Sequence, residues 1–451
     1  MQFEITQEYL NQLTEAVEKG NDGFIISCLS ELHPADIAEV LELLPEDEAR
    51  YIFKLVENEK AGDTLLELDE EAREQLLESL TTKEIAAHIE DMDSDDAADV
   101  VAELPEDKQR EVISQIEDKE QVSDIEHLLE YDENTAGALM ARELIRANIN
   151  WPVDQCIVEM RKQAENVETV YTIYVVDNDG ILVGLLSLKS LLFGNQKTLI
   201  SDLYQKDIKS VEAHTSREDV ANTMEKYDLV VLPVVDQNGK LVGRITIDDV
   251  VDVIKEEADK DYQMMSGISQ NIESTDRWTV ISRARLPWLI VGMFGGIAAS
   301  ILIGVYEPDI MLHPEMAFFI PLIAAMGGNV GVQSSALVVQ GLANNSMAKD
   351  GIVPKLLKEF GIGILNGIIC AVLIFLYNYF VSDSYALSFT VSIALFAVIC
   401  FAAVFGTFVP LILDKYKVDP ALATGPFITT MNDIVGLVIY FLIGKLFYFY
   451  F

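Results

Sequence analysis

The chain has 451 residues, with 32 Lys and Arg against 73 Asp and Glu, a net charge of −41 and a pI near 4.3. That acid excess excludes nucleic-acid binding, which needs a basic footprint, and adsorption to anionic lipid heads. Half of the residues are nonetheless hydrophobic and mean hydropathy is +0.23, so the chain must join two unlike parts. Residues 1–270 hold 23 basic and 62 acidic side chains, whereas residues 271–451 hold 9 and 11. The first part is acidic, the second apolar, and the length allows two or three domains. Cys28, Cys156, Cys370 and Cys400 lie far apart without CxxC spacing, which argues against a disulfide framework or a thiolate metal site and for a reducing compartment. The start, Met1 to Glu8, has neither a basic n-region nor an apolar core, so the first part is expected to stay inside the cell.

Residues 1–130 read as an all-α, superhelical N-domain. Pro34–Asp47 matches Ser94–Asp107 at an offset of 60, each copy an amphipathic helix closed by Leu-Pro-Glu-Asp. Pro and the acids suit the opening of the next helix, and stacked short helices build a solenoid or superhelical bundle.

Residues 131–255 repeat an α+β unit. Tyr174–Leu188 matches Pro233–Ile247 at an offset of 59, each reading as strand, Asn/Asp-Gly turn, strand and helix start. Helices are predicted before each pair, around Trp151–Ala164 and Ser216–Tyr227. The duplicated unit resembles a tandem pair of CBS domains, which implies dimerisation and the sensing of adenine nucleotides or ions. Asp248–Asp261 then forms an acidic helix. With the linker it makes a connecting element over 247–276, placed to carry a signal to the apolar part.

Residues 277–451 contain five runs with at most one charge: Leu286–Tyr306, Met316–Ala343, Phe360–Ser382, Ser384–Leu413 and Pro420–Gly444. Each reaches the roughly 20 residues a membrane-crossing helix needs. Basic connections (Arg277, Arg283 and Arg285; Lys349, Lys355 and Lys358; Lys415 and Lys417) alternate with acidic ones (Glu307, Asp309 and Glu315; Asp383). The positive-inside rule then puts the N-terminus in the cytosol and the C-terminus outside.

Asp433 interrupts the fifth run near its middle. A charge at that depth costs about 2.5–3.5 kcal/mol on insertion scales and by default marks an ion or proton path. The alternative, an Asp that only glues helices through Lys445, suffers from a separation of about three turns. In the second run, Asn329 and Gln333 share a helix face, and the glycines of Gly327–Gly331 permit either close backbone approach or an unwound turn lining a cavity. One acid per chain makes a weak cation site, and cyclic dimers are the commonest oligomers. A homodimer with Asp433 of both copies flanking the ion is therefore expected.

Carboxylates elsewhere suggest sensing. Asp95 and Asp99 are four apart and Asp249 and Asp252 three apart, spacings at which like charges repel, by roughly 3 kcal/mol at ~5 Å and an effective dielectric of ~20. Most of the 62 acids read as solvated faces of a soluble domain; the few that converge at domain junctions either share that role or are forced apart until a cation neutralises them. Hard oxygen donors without Cys or clustered His suit Mg²⁺ or Ca²⁺ rather than Zn²⁺, and without an EF-hand loop Mg²⁺ fits better.

The order of parts resembles the MgtE-type magnesium transporters over essentially the whole chain, most specifically in Gly327-Gly-Asn-Val-Gly-Val-Gln333 and Thr429-Thr-Met-Asn-Asp433 with Gly436. The resemblance implies a homodimeric Mg²⁺-selective channel of the bacterial plasma membrane, with Asp433 and Asn329 at the pore ion and Gly328, Gln333, Thr429 and Thr430 lining it. It implies regulatory Mg²⁺ at Asp63, Asp95, Asp99, Asp228, Asp249, Asp252, Glu257 and Asp261, with the connecting helix acting as a plug at high internal Mg²⁺. Some members bind ATP between the CBS units, here near Thr246, Asp248 and Asp249. The chain departs from the pattern at Asp63 (Glu in a relative), Lys260 (an acid) and Gly425 (an Asn). Two rivals remain: an H⁺- or Na⁺-coupled divalent-cation carrier, and a membrane-anchored Mg²⁺ sensor. No nucleophile motif, phosphate loop or HExxH sequence points to an enzyme.

Overall fold

The computed structural model describes residues 4–90, 92–164, 167, 169–269, 272, 277–343, 351–381 and 384–450. Lys349 and Asp383, used above for orientation, lie outside them, as does most of 270–276. The chain divides into two compact units, Met1–Lys255 and Glu256–Phe451.

The first unit opens with α1 (Gln7–Glu18), α2 (Asp22–Leu29), α3 (Pro34–Glu42), α4 (Glu46–Phe53), α5 (Asn58–Glu67), α6 (Glu70–Ser79), α7 (Thr82–Ile89), α8 (Ser94–Ala102), α9 (Glu106–Ile113) and α10 (Lys119–Leu128). Short helices like these need explicit ends, and the sequence supplies them. Pro45 and Pro105 precede α4 and α9, whose first turns carry Glu46, Asp47 and Glu48, and Glu106 and Asp107. Thr81 and Glu84 form a reciprocal capping box on α7. The 60-residue repeat is visible in three dimensions. Ile37, Ala38, Val40 and Leu41 of α3 are buried, and so are their counterparts Ala97, Ala98, Val100 and Val101 of α8.

Two three-stranded sheets follow with one topology. β1 (Arg146–Asn148), α11 (Val153–Gln163), β2 (Ile173–Val176), β3 (Leu182–Leu186) and α12 (Leu188–Phe193) make the first. β4 (Val211–Glu212), α13 (Arg217–Tyr227), β5 (Val231–Val235) and β6 (Leu241–Thr246) make the second. Each sheet pairs its first strand parallel and its last antiparallel to the middle one, with the register shift at Val175/Val176 repeated at Val234/Val235. Gly180 and Gly239, at φ +83° and +80°, close the two hairpins. The N-domain's apolar core continues without a break into the second repeat, through Val220 and Met224 of α13 and Leu232, Val234 and Ile245 of its sheet. β6 runs directly into α14 (Ile247–Met265), about 28 Å long at 1.5 Å per residue.

In the second unit α15 (Trp278–Val305), the short α16 (Glu307–Leu312), α17 (Ile320–Ala343), α18 (Ile352–Val381), α19 (Tyr385–Lys415) and α20 (Pro426–Tyr450) follow; among the described residues all but α16 are long and apolar enough to cross a membrane, five in number. α18 begins before its uncharged run, taking Lys355, Lys358 and Glu359 into its first turns, and α15 takes in Arg283 and Arg285 in the same way. α19 lies innermost, against α17, α18 and α20. The glycine-rich stretch of α17 is unbroken helix, which settles the earlier alternative in favour of close approach. A Cβ on Gly406 would come within 2.3 Å of the Gly331 carbonyl oxygen. The fifth helix starts later than its apolar run, because a 3₁₀ turn over Pro420–Ala423 and Gly425 at φ +50° interrupt it. Asp433 is thus the eighth residue of α20, about two turns in, not at mid-helix.

Candidate cation sites

In the membrane unit, α17 and α20 frame Asp433. The side chain is half-buried, and a Cβ placed on Gly328 would sit 3.5 Å from its Oδ1 and 3.5 Å from Thr429 Cγ2. Having no side chain, Gly328 leaves open the space beside the carboxylate. Thr429 Oγ1 donates to the carbonyls of Gly425 and Pro426 at 3.1 and 3.0 Å, which turns its methyl toward Gly328. Asn329 and Gln333 are exposed along α17. Thr430 points elsewhere: its Cγ2 occupies the notch left by Gly295 of α15, so Asp433, Gly328 and Thr429 gather and Thr430 does not join them. Lys445 is exposed and lies about 18 Å further along α20, too far to neutralise Asp433.

Two polar groups here escaped sequence reasoning. Asn432 is fully buried, and neither amide atom has a hydrogen-bond partner among the described residues; its Nδ2 abuts Gly331. Glu359 of α18 accepts a 3.3 Å hydrogen bond from Ser334 Oγ. The signal for Glu359 was an acid at the edge of an apolar run, and Asn432 stood unassigned beside Asp433 in the Thr429–Asp433 motif.

The end of the connecting segment packs on the start of α20. A Cβ on Gly425 would lie 2.3 Å from the Met265 carbonyl oxygen, and one on Gly267 (φ +80°) 2.6 Å from Pro426 Cγ. Ser269 donates through both N and Oγ to the Ala284 carbonyl at 3.1 and 2.8 Å, and the Gln263 amide clasps the backbone of Ile272. On α14, Asp252 is exposed and Asp261 half-buried, while Lys260 pairs with Glu257 at 3.2 Å. The departure from an acid at Lys260 thus supplies an internal cation to Glu257.

In the first unit the acids of α8 meet the start of α14. Asp95 is buried, 8 % exposed. Its pKa lies well above the usual carboxylate range, because burial and then the charges of Asp96, Asp249, Asp93 and Glu143 oppose ionisation. Asp96 is pushed up to about 7, first by burial, then by Asp249, Asp93, Asp99 and Asp63. Asp99, which keeps an exposed edge, is pushed up to about 7 by the protein around its carboxyl and by Asp249, with Arg73 pulling against both. Asp249 is raised by burial, although Thr246 donates to its Oδ2 from Oγ1 at 2.6 Å and from N at 3.2 Å. Oxygens of Asp93, Asp95 and Glu143 lie within 4.8 Å of one another. Asp63, Asp95, Asp99 and Asp249 are therefore neighbours, whereas Asp228 ends α13 in the left-handed region at φ 50°, exposed. Asp93, Asp96 and Glu143 were missed, since only the fold brings them to α14. Crowded acids whose ionisation the fold opposes, with oxygen donors alone, fit a hard divalent cation.

Family comparison agrees along the chain. The MgtE intracellular N domain matches residues 32–134, the CBS domain 136–194 and 200–256, and MgtE, described as a divalent cation transporter, 320–443. Magnesium transporter MgtE of Bacillus subtilis is 34% identical over 422 residues, covering 93% of each chain. The chain belongs to the MgtE family. Magnesium transporter MgtE of Thermus thermophilus is 30% identical over 438 residues, 96% of this chain and 97% of that one. Among solved structures, the cytosolic domain of the Mg²⁺ channel MgtE in complex with ATP matches at 32% identity with a TM-score of 0.51, covering 54% of this chain and 99% of that one. As an MgtE-family chain with five apolar helices, this is a polytopic membrane protein whose first unit has the fold of the MgtE cytosolic domain.

Proposed function

We propose that the chain is a Mg²⁺-selective channel, shut by cytosolic Mg²⁺. The observation that carries this reading is Asp433, a carboxylate on α20 facing the glycine-lined wall of α17, with Lys445, the other charge of α20, about 18 Å away. Mg²⁺ sheds its water reluctantly, so a single carboxylate beside open space suits a hydrated ion. Two copies related by a two-fold axis would set two such carboxylates about one pore, with Asn329 and Gln333, exposed in the single chain, turned into it. The N-terminus is cytosolic and the C-terminus outside, and influx is downhill at about 2.3 kcal/mol per charge per 100 mV.

The acids of α8 and α14 form the sensor. Bound Mg²⁺ supplies the positive charge that lets these carboxylates stay ionised while α8 remains against α14. Without that charge they repel, and the N-domain leaves. A shift from 1:99 to 99:1 needs about 5.5 kcal/mol of differential binding, within reach of several weak sites. ATP, bound by the related cytosolic domain, would bind near Thr246, Asp248 and Asp249, since the cavity lined by Thr169, Tyr171, Thr172 and Arg244, at about 10 Å³, holds no more than a water.

In liposomes, flux through the purified protein is expected to follow the Mg²⁺ electrochemical gradient and to ignore imposed ΔpH and Na⁺ gradients. Dependence on either would favour the coupled carrier, and absence of flux the sensor. The packing at Gly425 gives a second expected result. Gly425→Ala puts a methyl against the Met265 carbonyl at a residue held at positive φ. The connecting segment should then seat poorly, and the channel should conduct at Mg²⁺ levels that silence the parent, read by patch recording.

A further inference from the structure

One buried cation sits among the α8 acids. Arg244, on β6, is 5% exposed. Its Nη2 pairs with Asp93 Oδ2 at 2.9 Å, and its Nε donates to the Glu143 carbonyl at 2.6 Å. The guanidinium carbon lies 5.6 Å from the centre of the Tyr171 ring. The backbone beneath is fixed as well, exchanging hydrogen bonds with Ala141 at 2.8 and 2.9 Å. Asp93 stands at the N-cap of α8 yet makes no capping bond, although Asp is among the preferred capping residues; its carboxylate is turned to Arg244 instead. Glu143 takes over the helix start, accepting from Ser94 N and Oγ at 3.2 and 3.0 Å.

We propose that Arg244 is a built-in counter-cation for the N-domain. It neutralises Asp93 at all times, holds the start of α8 on the second CBS unit without metal, and so lowers the Mg²⁺ concentration needed to keep the two together. A guanidinium suits this task because its charge cannot be titrated away and its fork can serve a carboxylate and a carbonyl together. The Mg²⁺ part of the proposal rests on the sensing function above; the metal-free tether does not.

Hydrogen exchange at the α8 amides of the full-length protein in detergent tests both parts, in EDTA and across a MgCl₂ titration. Arg244→Gln should exchange faster in EDTA and raise the half-protecting MgCl₂ concentration, each by about five-fold or more, the lower end of common coupling energies. Arg244→Lys, which keeps the charge but loses the fork, should fall between. Asp93→Asn removes the same ion pair at a half-buried position, and in that background Arg244→Gln should add little. Should Arg244→Gln fail to fold, Asp93→Asn and Arg244→Lys carry the test. Unchanged exchange in EDTA, or an Arg244→Gln effect of equal size with and without Asp93, would overturn the tether. Faster exchange of Arg244→Gln in EDTA, with no Mg²⁺ protection in the parent, would uphold the tether and sink the sensing function instead.

Discussion

Asp433→Asn is expected to reduce Mg²⁺ uptake into liposomes by at least about 100-fold, a loss of roughly 2.7 kcal/mol at 1.36 kcal/mol per factor of ten. Asn keeps the shape of Asp and removes its charge, while α20 and the cleft beside Gly328 stay as they are. A neutral amide is also cheaper than a carboxylate at membrane depth, so the variant should melt no lower than the parent. Retained folding with lost flux separates a permeation role from a structural one. Asp433→Glu keeps the charge but pushes it one methylene toward α17, and should recover part of the flux. Full conduction by the Asn variant would remove Asp433 from the ion path.

The second large effect is on pH. Asp96 and Asp99, pushed up to about 7 against α14, return toward 3.8 when the N-domain leaves. The associated form therefore binds more protons, and its stability falls as pH rises. The contribution is complete below pH 4 and is lost as pH climbs from about 4 through 7. In EDTA, the α8 amides should be better protected at pH 6 than at pH 8. The MgCl₂ needed for half-protection should be several-fold lower at pH 6. The pair Asp96→Asn and Asp99→Asn should flatten this dependence and hold the N-domain in place in EDTA, mimicking a bound cation. A pH profile of the same slope in that double variant would show that other groups set the response.

Much of this was legible from composition and period. The five spans followed from uncharged runs, since lipid admits no unsatisfied backbone and few charges. The duplicated units followed from offsets of 60 and 59 residues, because a repeated core face repeats its apolar spacing. Other features depend on approach in space. Glu143 and Asp249 join Asp93, Asp95 and Asp96 only once α8 lies against the second sheet and α14, and no local pattern marks Arg244 as their partner. Thr430 lines α15 because Gly295 leaves a notch there, a pairing between distant positions. Asp433 lies nearer the start of its helix than the run of apolar letters suggested, because Pro420–Ala423 and Gly425 break the helix without breaking hydrophobicity.

The twin helices α3 and α8 divide labour. Both keep the same inward face, but where α8 carries Asp95, Asp96 and Asp99, α3 has Ala35, Asp36 and Glu39. Under the proposed function, frame and detector occupy separate copies of one repeated unit. Substitutions beside Asp95, Asp96 and Asp99 would then retune the concentration at which the protein responds, while α3 goes on supporting the architecture undisturbed.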